Sequence, residues 1–501
     1  MAVSGLWGLA RDSSMGNDEI ATRYAALLSL RQLAHLLRNV DAVHGLYYLL
    51  MHGWVALGTS PAVLRVPSVI SMTAAAALIV IIGRRLTGSA WAGLFAGLIM
   101  VLTPDITYFA QTARSYALVF LCVLCSTLAL LRALEAEAGT GPGARISRWW
   151  LAYAALVTLG GYLNELSLLV LAAHAVTVLL ARYGRRALVH WAAASAGVAV
   201  LVTPLLVISS REDRAVSWIA RPHLSDLWAL GHQYFGSTTA AALLVLLCAV
   251  AAVLPARGAP SQPPGGAAAA TGAQPQAPWW RSGGVSLPSV AAPLLVLPGA
   301  ILIAESLLAR PFFVERYVLY SEAGAALLAG AGIYRIGRWL SGAADRRALL
   351  WVPGAVVCLS ALLLQLGPQQ LIRTPDSRLF DYGGPARYVG AHARYGDGVL
   401  FINTFFRKAR LGYPQDFRKT SDFAMAVSPP QAGNFNGRNK PFVLIRPLML
   451  EHRRIWVVGR MPSAQLASPP IRAESLVLEH HFALVTERQF RGIVVTLWLR
   501  R

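Results

Sequence analysis

Charge is scarce in this sequence, and negative charge scarcest of all. Only 14% of the 501 residues are Asp, Glu, Lys or Arg, 55% are hydrophobic, and mean hydropathy is +0.50. That balance excludes an ordinary soluble globular protein, whose charged share is about 25%. Asp and Glu number 24 against 45 Lys and Arg, a formal net charge of +21. The basic residues punctuate apolar blocks, and no compact basic run with interleaved aromatics occurs, which argues against a nucleic-acid partner. Cysteine is confined to Cys122, Cys125, Cys248 and Cys358, all inside apolar blocks, so no disulfide framework is expected. Cys122 and Cys125 form a C-x-x-C without a second pair or a nearby His cluster, and read as helix-packing residues rather than a zinc or redox centre. With no D-x-D and no His cluster at ligand spacing, neither a bound metal nor a cofactor is expected.

What the chain has in abundance is apolar blocks of about 18 to 22 residues, each long enough as a helix to cross a hydrocarbon core of roughly 30 Å. They predict spans at 63–83, 89–105, 115–133, 149–162, 165–182, 188–209, 237–256, 287–308, 317–336 and 348–367. The fold class is therefore an α-helical polytopic membrane protein of about ten visible spans. Arg84 and Arg85, Arg132 with Arg145 and Arg148, Arg182 with Arg185 and Arg186, Arg257 with Arg281, and Arg335 with Arg338, Arg346 and Arg347 fall in alternate connections. The positive-inside rule makes those connections cytoplasmic, including the Pro/Gly/Ala-rich linker 257–285. The opposite, exported side receives residues 1–62, the loops at 106–114, 163–164, 210–236 and 309–316, and everything beyond 367.

Three segments follow from that topology. Residues 45–58, GLYYLLMHGWVALG, are too short to span and read as an interfacial helix with Tyr47, Tyr48 and Trp54 in the aromatic belt. Residues 1–62 need a preceding span to reach the outside, so a first transmembrane helix upstream of this chain is expected. From about 370 the texture changes to GDGVLFIN, PFVLIRP, RIWVVGR and GIVVTLWLR, short β-rich runs broken by Gly, Pro and Asn. GGPARYVGAHARYGDGVLF reads as helix, turn, strand. The expected division is 1–62, an external catalytic loop and interfacial helix; 63–367, the transmembrane part; and 368–501, a small exported α/β domain.

Ionisable residues near a membrane are costly and each is a functional candidate. Asp18 and Glu19 are adjacent carboxylates, suited to a general base and its orienting neighbour, or simply to a solvated loop. Asp41 and His44 precede the aromatic helix, where Asp41 could also be a cap. Gln111, Arg114 and Tyr116 lie at an outer mouth, Arg114 as an anion site or a snorkelling anchor. Asn164 and Glu165 occupy a connection too short for a solvated loop, with His174 in the span beyond, and turn capping is the competing reading. Arg310, Glu315, Arg316, Tyr317 and Glu322 cluster near a late span, where Arg316 beside an aromatic suits a phosphate at the membrane boundary.

Taken in order, the DE pair, H-x-x-Y-Y, LRVPSVI, GRRLTG, QTARSYAL, ERYVLYS and the closing RIWVV with FRGIVVTLWLRR resemble the GT-C superfamily of membrane glycosyltransferases that use polyprenyl-phosphate-linked sugars. More narrowly they resemble the largely actinobacterial mannosyltransferase-like proteins related to protein O-mannosyltransferases and the RgtA/B/C/D-like group. His44 and Gly45 stand where many relatives have Pro-Pro. The resemblance implies inverting transfer of mannose from a polyprenyl-phosphate donor to an envelope glycan, lipid or protein hydroxyl on the outer face. It implies Asp18 and Glu19 as catalytic carboxylates, and Arg114, Arg316, Tyr116 and Gln111 as donor-phosphate ligands. Asp41, His44, Glu165 and Glu315 are then candidate substrate contacts. A transporter or lipid flippase would use similar charges but would show internal repeats, and none is evident. A non-catalytic partner in an envelope assembly is the third reading.

Overall fold

The computed structural model describes residues 1–10, 14–138, 147–211, 219–254, 284–344, 350–460 and 468–501. Every expected span overlaps a helix within these residues. Pro61–Thr87, Tyr116–Ala138, Arg185–Ser209, Leu287–Leu308 and Val352–Leu371 are each long and apolar enough to cross a membrane alone. Ala90–Leu102 joins Pro104–Ala110 with a 70° bend, and Leu224–Phe235 joins Thr239–Val253 with a 69° bend. Proline explains the first bend: Pro104 has no amide hydrogen to continue the ladder, and it starts a new helix. The remaining expected spans are the helix Arg148–Leu163, the Glu165–Leu169 turn with Val170–Ala181, and the Glu315–Ser321 3-10 turn with Glu322–Ala344. Most of the linker 257–285, and its 257–283 part in particular, lies outside the described residues.

Burial separates the helices by role. The apolar window of Tyr116–Ala138 is 72% buried and sits at the centre, whereas that of Arg185–Ser209 is 17% buried. A long, mainly apolar helix so little covered by protein needs lipid as its solvent, and with the other long apolar helices it makes the chain a multi-pass membrane protein. Small residues let the central helices touch. A Cβ on Gly332 would come within 1.7 Å of the Cys248 carbonyl oxygen, and one on Gly93 within 2.3 Å of the Val80 carbonyl oxygen.

The C-terminal α/β domain carries strands β1 Asp397–Phe401, β2 Thr420–Ser421, β3 Met425–Val427, β4 Arg438–Asn439, β5 Arg454–Val458, β6 Phe482–Phe490 and β7 Ile493–Arg500. Five form one sheet in the order β2-β1-β5-β7-β6; β1 runs parallel to β2 and β5, and β7 antiparallel to β5 and β6. Gly492, at φ +72, turns the two-residue β6–β7 hairpin that a side chain would strain. GDGVLF, RIWVV and IVVTLWLR are strands as expected. PFVLIRP is not: it opens the helix Phe442–Glu451, whose Ile445 and Met449, one turn apart, are its buried face. Pro441 at its N-cap starts that helix, and its β-branched and aromatic residues misled the sequence reading.

The N-terminal segment and the C-terminal domain meet on one side of the helical part. Ser14 Oγ donates to Asp381 at 2.7 Å, the Met15 amide donates to Tyr413 Oη at 2.6 Å, and Lys408 Nζ donates to Asn17.

Candidate functional site

Asp18 and Glu19 do not lie in a loop. They occupy the first turn of the helix Asn17–Leu27, where unpaired backbone amides and the helix dipole favour negative charge. Glu19 is at the third position and accepts the Gly16 amide at 3.0 Å, closing the turn. Adjacent residues on a helix point about 100° apart, so the two carboxylates meet different surroundings.

Glu19 points into protein and is saturated. Arg65 donates Nε to one oxygen at 2.7 Å and Nη2 to the other at 2.9 Å, the fork geometry of a bidentate pair. The Ala113 amide donates to Glu19 at 3.1 Å, and Arg378 lies 3.4 Å away. Arg65 also donates to the Leu9 and Ser14 carbonyls. Burial would raise the Glu19 carboxyl, but Arg378 and Arg65 overcome it and hold it down at about 2. This knot joins the Asn17 helix, the first turns of the helix Pro61–Thr87 and the C-terminal segment.

Asp18 lines a cavity of about 1220 Å³; its carbonyl accepts from Thr22 Oγ1 at 3.0 Å, but its carboxylate has no hydrogen-bond or ion-pair partner among the described residues. Burial works to raise its carboxyl, yet Arg114 and Arg316 outweigh that and keep it below the usual range. Arg114, in the turn before Tyr116–Ala138, donates Nη1 to Tyr48 Oη at 2.6 Å and Nη2 to Asp41 at 3.1 Å. Tyr48 donates to the same Asp41 oxygen. Asp41 has φ +65, a left-handed conformation that Asp tolerates better than most residues. Its carboxyl is lowered to about 2, burial being outweighed chiefly by Arg114. Arg114 Nε has no hydrogen-bond partner although it is buried. Arg316 donates Nε to Tyr116 Oη at 3.0 Å and stacks near Tyr317. His44 shares a hydrogen bond with Ser115 at 3.2 Å, and burial together with Arg114 lowers it to about 4, so it is neutral at pH 7.

The cavity therefore gathers Asp18, Asp41, His44, Arg114, Tyr116, Glu165, Glu315 and Arg316, which are some 300 residues apart in the chain, with Asn164, Arg310 and Tyr317. Asp105 and Glu305 line it as well. Among the described residues no group of three or more His, Cys, Asp or Glu is arranged to hold a metal ion.

Several expected residues have other work. Gln111 lies outside the cavity lining; its amide donates to the Gly5 and Trp7 carbonyls at 2.9 Å and pins the N-terminal helix Ala2–Leu6. Tyr47 and Tyr48 are fully buried rather than in an interfacial belt, because the aromatic face of Gly45–Trp54 turns towards protein. His174 bonds Thr127 and Tyr153 inside the helical core. Asn164 caps a turn through the Leu166 amide, and Glu165 accepts from Ser209 at 2.6 Å. Glu322 is buried behind the lining, beside Gln233, which does line the cavity. The sequence reading missed Arg65, Arg378 and Lys408. An arginine in the first turns of an apolar span was a signal for Arg65; nothing local marks the other two.

The family model of dolichyl-phosphate-mannose-protein mannosyltransferases matches residues 45–209, which include Tyr48, Arg65, Arg114 and Glu165 but not Asp18 or Arg316. No curated protein matches the sequence. Among solved structures, ArnT from Cupriavidus metallidurans in the apo state is 12% identical, with 99% of this chain and 96% of that chain covered at a TM-score of 0.59. The same protein bound to undecaprenyl phosphate is 14% identical over the same shares, at a TM-score of 0.58. At these identities the likeness is one of fold, and it runs through the helical part and the C-terminal domain alike. By that likeness the chain shares the fold of those structures, and within it residues 45–209 match the family model.

Proposed function

We propose that this protein is a glycosyltransferase that moves a sugar, mannose in our reading, from a polyprenyl-phosphate donor to a hydroxyl of a cell-envelope acceptor, with inversion, on the exported face of the membrane. The observation that carries the proposal is the unpartnered Asp18 carboxylate in a cavity that also holds Arg114 and Arg316. The family description names a dolichyl-phosphate sugar and the ArnT structure an undecaprenyl phosphate, two lipid phosphates of one chemical class.

The donor phosphate is assigned to Arg114 and Arg316, on segments at the outer ends of membrane helices where a lipid-linked phosphate must lie. Arg114 Nε is a buried donor awaiting an acceptor, and leaving it unmet costs about 1–3 kcal/mol. A bound phosphate offsets both guanidinium charges and lets the Asp18 carboxyl rise towards the range of a working base. The acceptor oxygen then attacks the anomeric carbon from the face opposite the phosphate. The new C–O bond forms as the bond to the phosphate oxygen breaks, the electron pair leaves on the phosphate, and the hydroxyl proton passes to Asp18. Arg114 and Arg316 stabilise the charge that develops on the leaving group. Tyr48 and Asp41 hold Arg114, and Tyr116 holds Arg316. Glu19 does no chemistry in this scheme; it fixes the turn that presents Asp18.

The test is incubation of the purified full chain in vesicles with labelled polyprenyl-phosphate mannose and an envelope fraction. Label in a product other than the polyprenyl-phosphate donor is expected. Lipid translocation without transfer would point to a flippase, and bound but unchanged donor to a non-catalytic partner; either result contradicts the proposal.

A further inference from the structure

One wall of the cavity belongs to the C-terminal domain and is not used by the chemistry above. Phe380, Phe405, Lys408, Phe435 and Asn436 line it, facing the turn that carries Asn17 and Asp18. Lys408 is only 8% exposed. One of its three donors goes to Asn17 Oδ1, its ammonium lies 4.2 Å from the centre of the Phe405 ring, and no carboxylate is within ion-pair distance among the described residues. A buried charge without a carboxylate in direct contact is costly, and burial pushes this amine down to about 8 although the Asp18 and Asp41 carboxylates across the cavity pull it the other way. Phe435 meets Tyr24 of the Asn17 helix edge to face, with ring centres 5.9 Å apart, so the wall is anchored beside Asp18. The buried Oδ1 of Asn436 accepts no hydrogen bond.

Aromatic faces, amide groups and one unpaired cation are the chemistry of an anionic carbohydrate site: rings cover the apolar face of a sugar, amides meet its hydroxyls, and an ammonium pairs with a carboxylate or phosphate. We propose that this wall is the acceptor subsite, and that the acceptor is an oligosaccharide bearing an anionic group that pairs with Lys408. The inference rests on the transferase reading. The donor phosphate has its own ligands at the helix ends, whereas Lys408 stands on the C-terminal domain, which carries no long apolar helix among the described residues. Since Lys408 holds Asn17, an anion seated there brings a neighbouring hydroxyl to Asp18.

The test measures equilibrium binding to the full chain in nanodiscs of four probes: polyprenyl phosphate, a uronate-containing oligosaccharide, its carboxyl-reduced neutral counterpart, and a phosphorylated mannose oligosaccharide. At least one anionic oligosaccharide should bind roughly tenfold or more tightly than the neutral one, the worth of one charge-assisted contact; which of the two does so identifies the anion. Lys408→Met should abolish that difference, Lys408→Arg should restore much of it, and neither should alter affinity for polyprenyl phosphate. Phe435→Leu should weaken all oligosaccharides alike. Equal binding of charged and neutral oligosaccharides by the wild type, no oligosaccharide binding, or a loss of polyprenyl-phosphate affinity in Lys408→Met would overturn the inference. Failure of the wild type to bind polyprenyl phosphate would instead overturn the transferase reading beneath it.

Discussion

The protein contains two buried assemblies of arginine and carboxylate on neighbouring elements, and they differ in completeness. In the first, Glu19 accepts from Arg65, the Gly16 amide and the Ala113 amide, with Arg378 alongside. In the second, Asp41, Tyr48 and Arg114 bond one another, but among the described residues Arg114 Nε stays unmet and the Asp18 carboxylate has no partner. A saturated knot gains nothing from a ligand and loses much when broken, whereas an unsaturated one is completed by a ligand. The same residue types at adjacent positions thus serve structure in one case and, we propose, chemistry in the other.

The contrast can be broken at either end. The largest effect is expected for Asp18→Asn, which keeps shape but removes basicity: turnover should fall by about a hundred- to ten thousand-fold with donor affinity and melting temperature retained. Glu19→Ala should do the reverse, costing about 3–5 kcal/mol of stability by stranding Arg65 and Arg378, seen as a lowered unfolding midpoint in detergent. Acid titration should reproduce part of that loss. Glu19 is held at about 2 against an ordinary 4.5, so its contribution, about 3 kcal/mol, is complete above pH 4.5 and disappears as pH falls towards 2. His44, lowered from 6.5 to about 4, acts in the same direction, because only the unfolded chain takes up its proton between those values. Denaturation midpoints between pH 7 and pH 3 should therefore fall steadily, and less so in Glu19→Gln. Arg316→Ala should raise the donor KM roughly ten- to a hundredfold, the worth of a charge-assisted contact, and Arg316→Lys should recover part of it. Tyr48→Phe sharpens the comparison with the smallest change: about 1 kcal/mol of stability and a modest rise in donor KM, as Arg114 loses one of its two holders.

Much of this architecture is legible from sequence because membrane spans announce themselves. Every expected span falls on a helix, and GDGVLF and RIWVV are strands, since apolar run length and β-rich runs are local properties. The site is legible only as a set of isolated polar residues at span ends. That Asp18 and Glu19 part company depends on which way each leaves a helix turn, and on Arg65 and Arg378, 46 and 359 positions beyond Glu19. Gln111 shows the opposite error: its position beside Arg114 suggested the phosphate, while its amide is consumed by the carbonyls of residues 5 and 7. Lys408 lay beyond reach for the same reason, since its contact with Asn17 spans 391 positions.

The most direct test of the account is an experimental structure of the full chain with polyprenyl phosphate bound. The account predicts the phosphate oxygens within hydrogen-bond reach of Arg114 Nε and of Arg316, next to Asp18, with every contact of Glu19 unchanged. A phosphate bound instead at Arg65 and Arg378, or at Lys408 with Arg114 and Arg316 left as they are here, would contradict it.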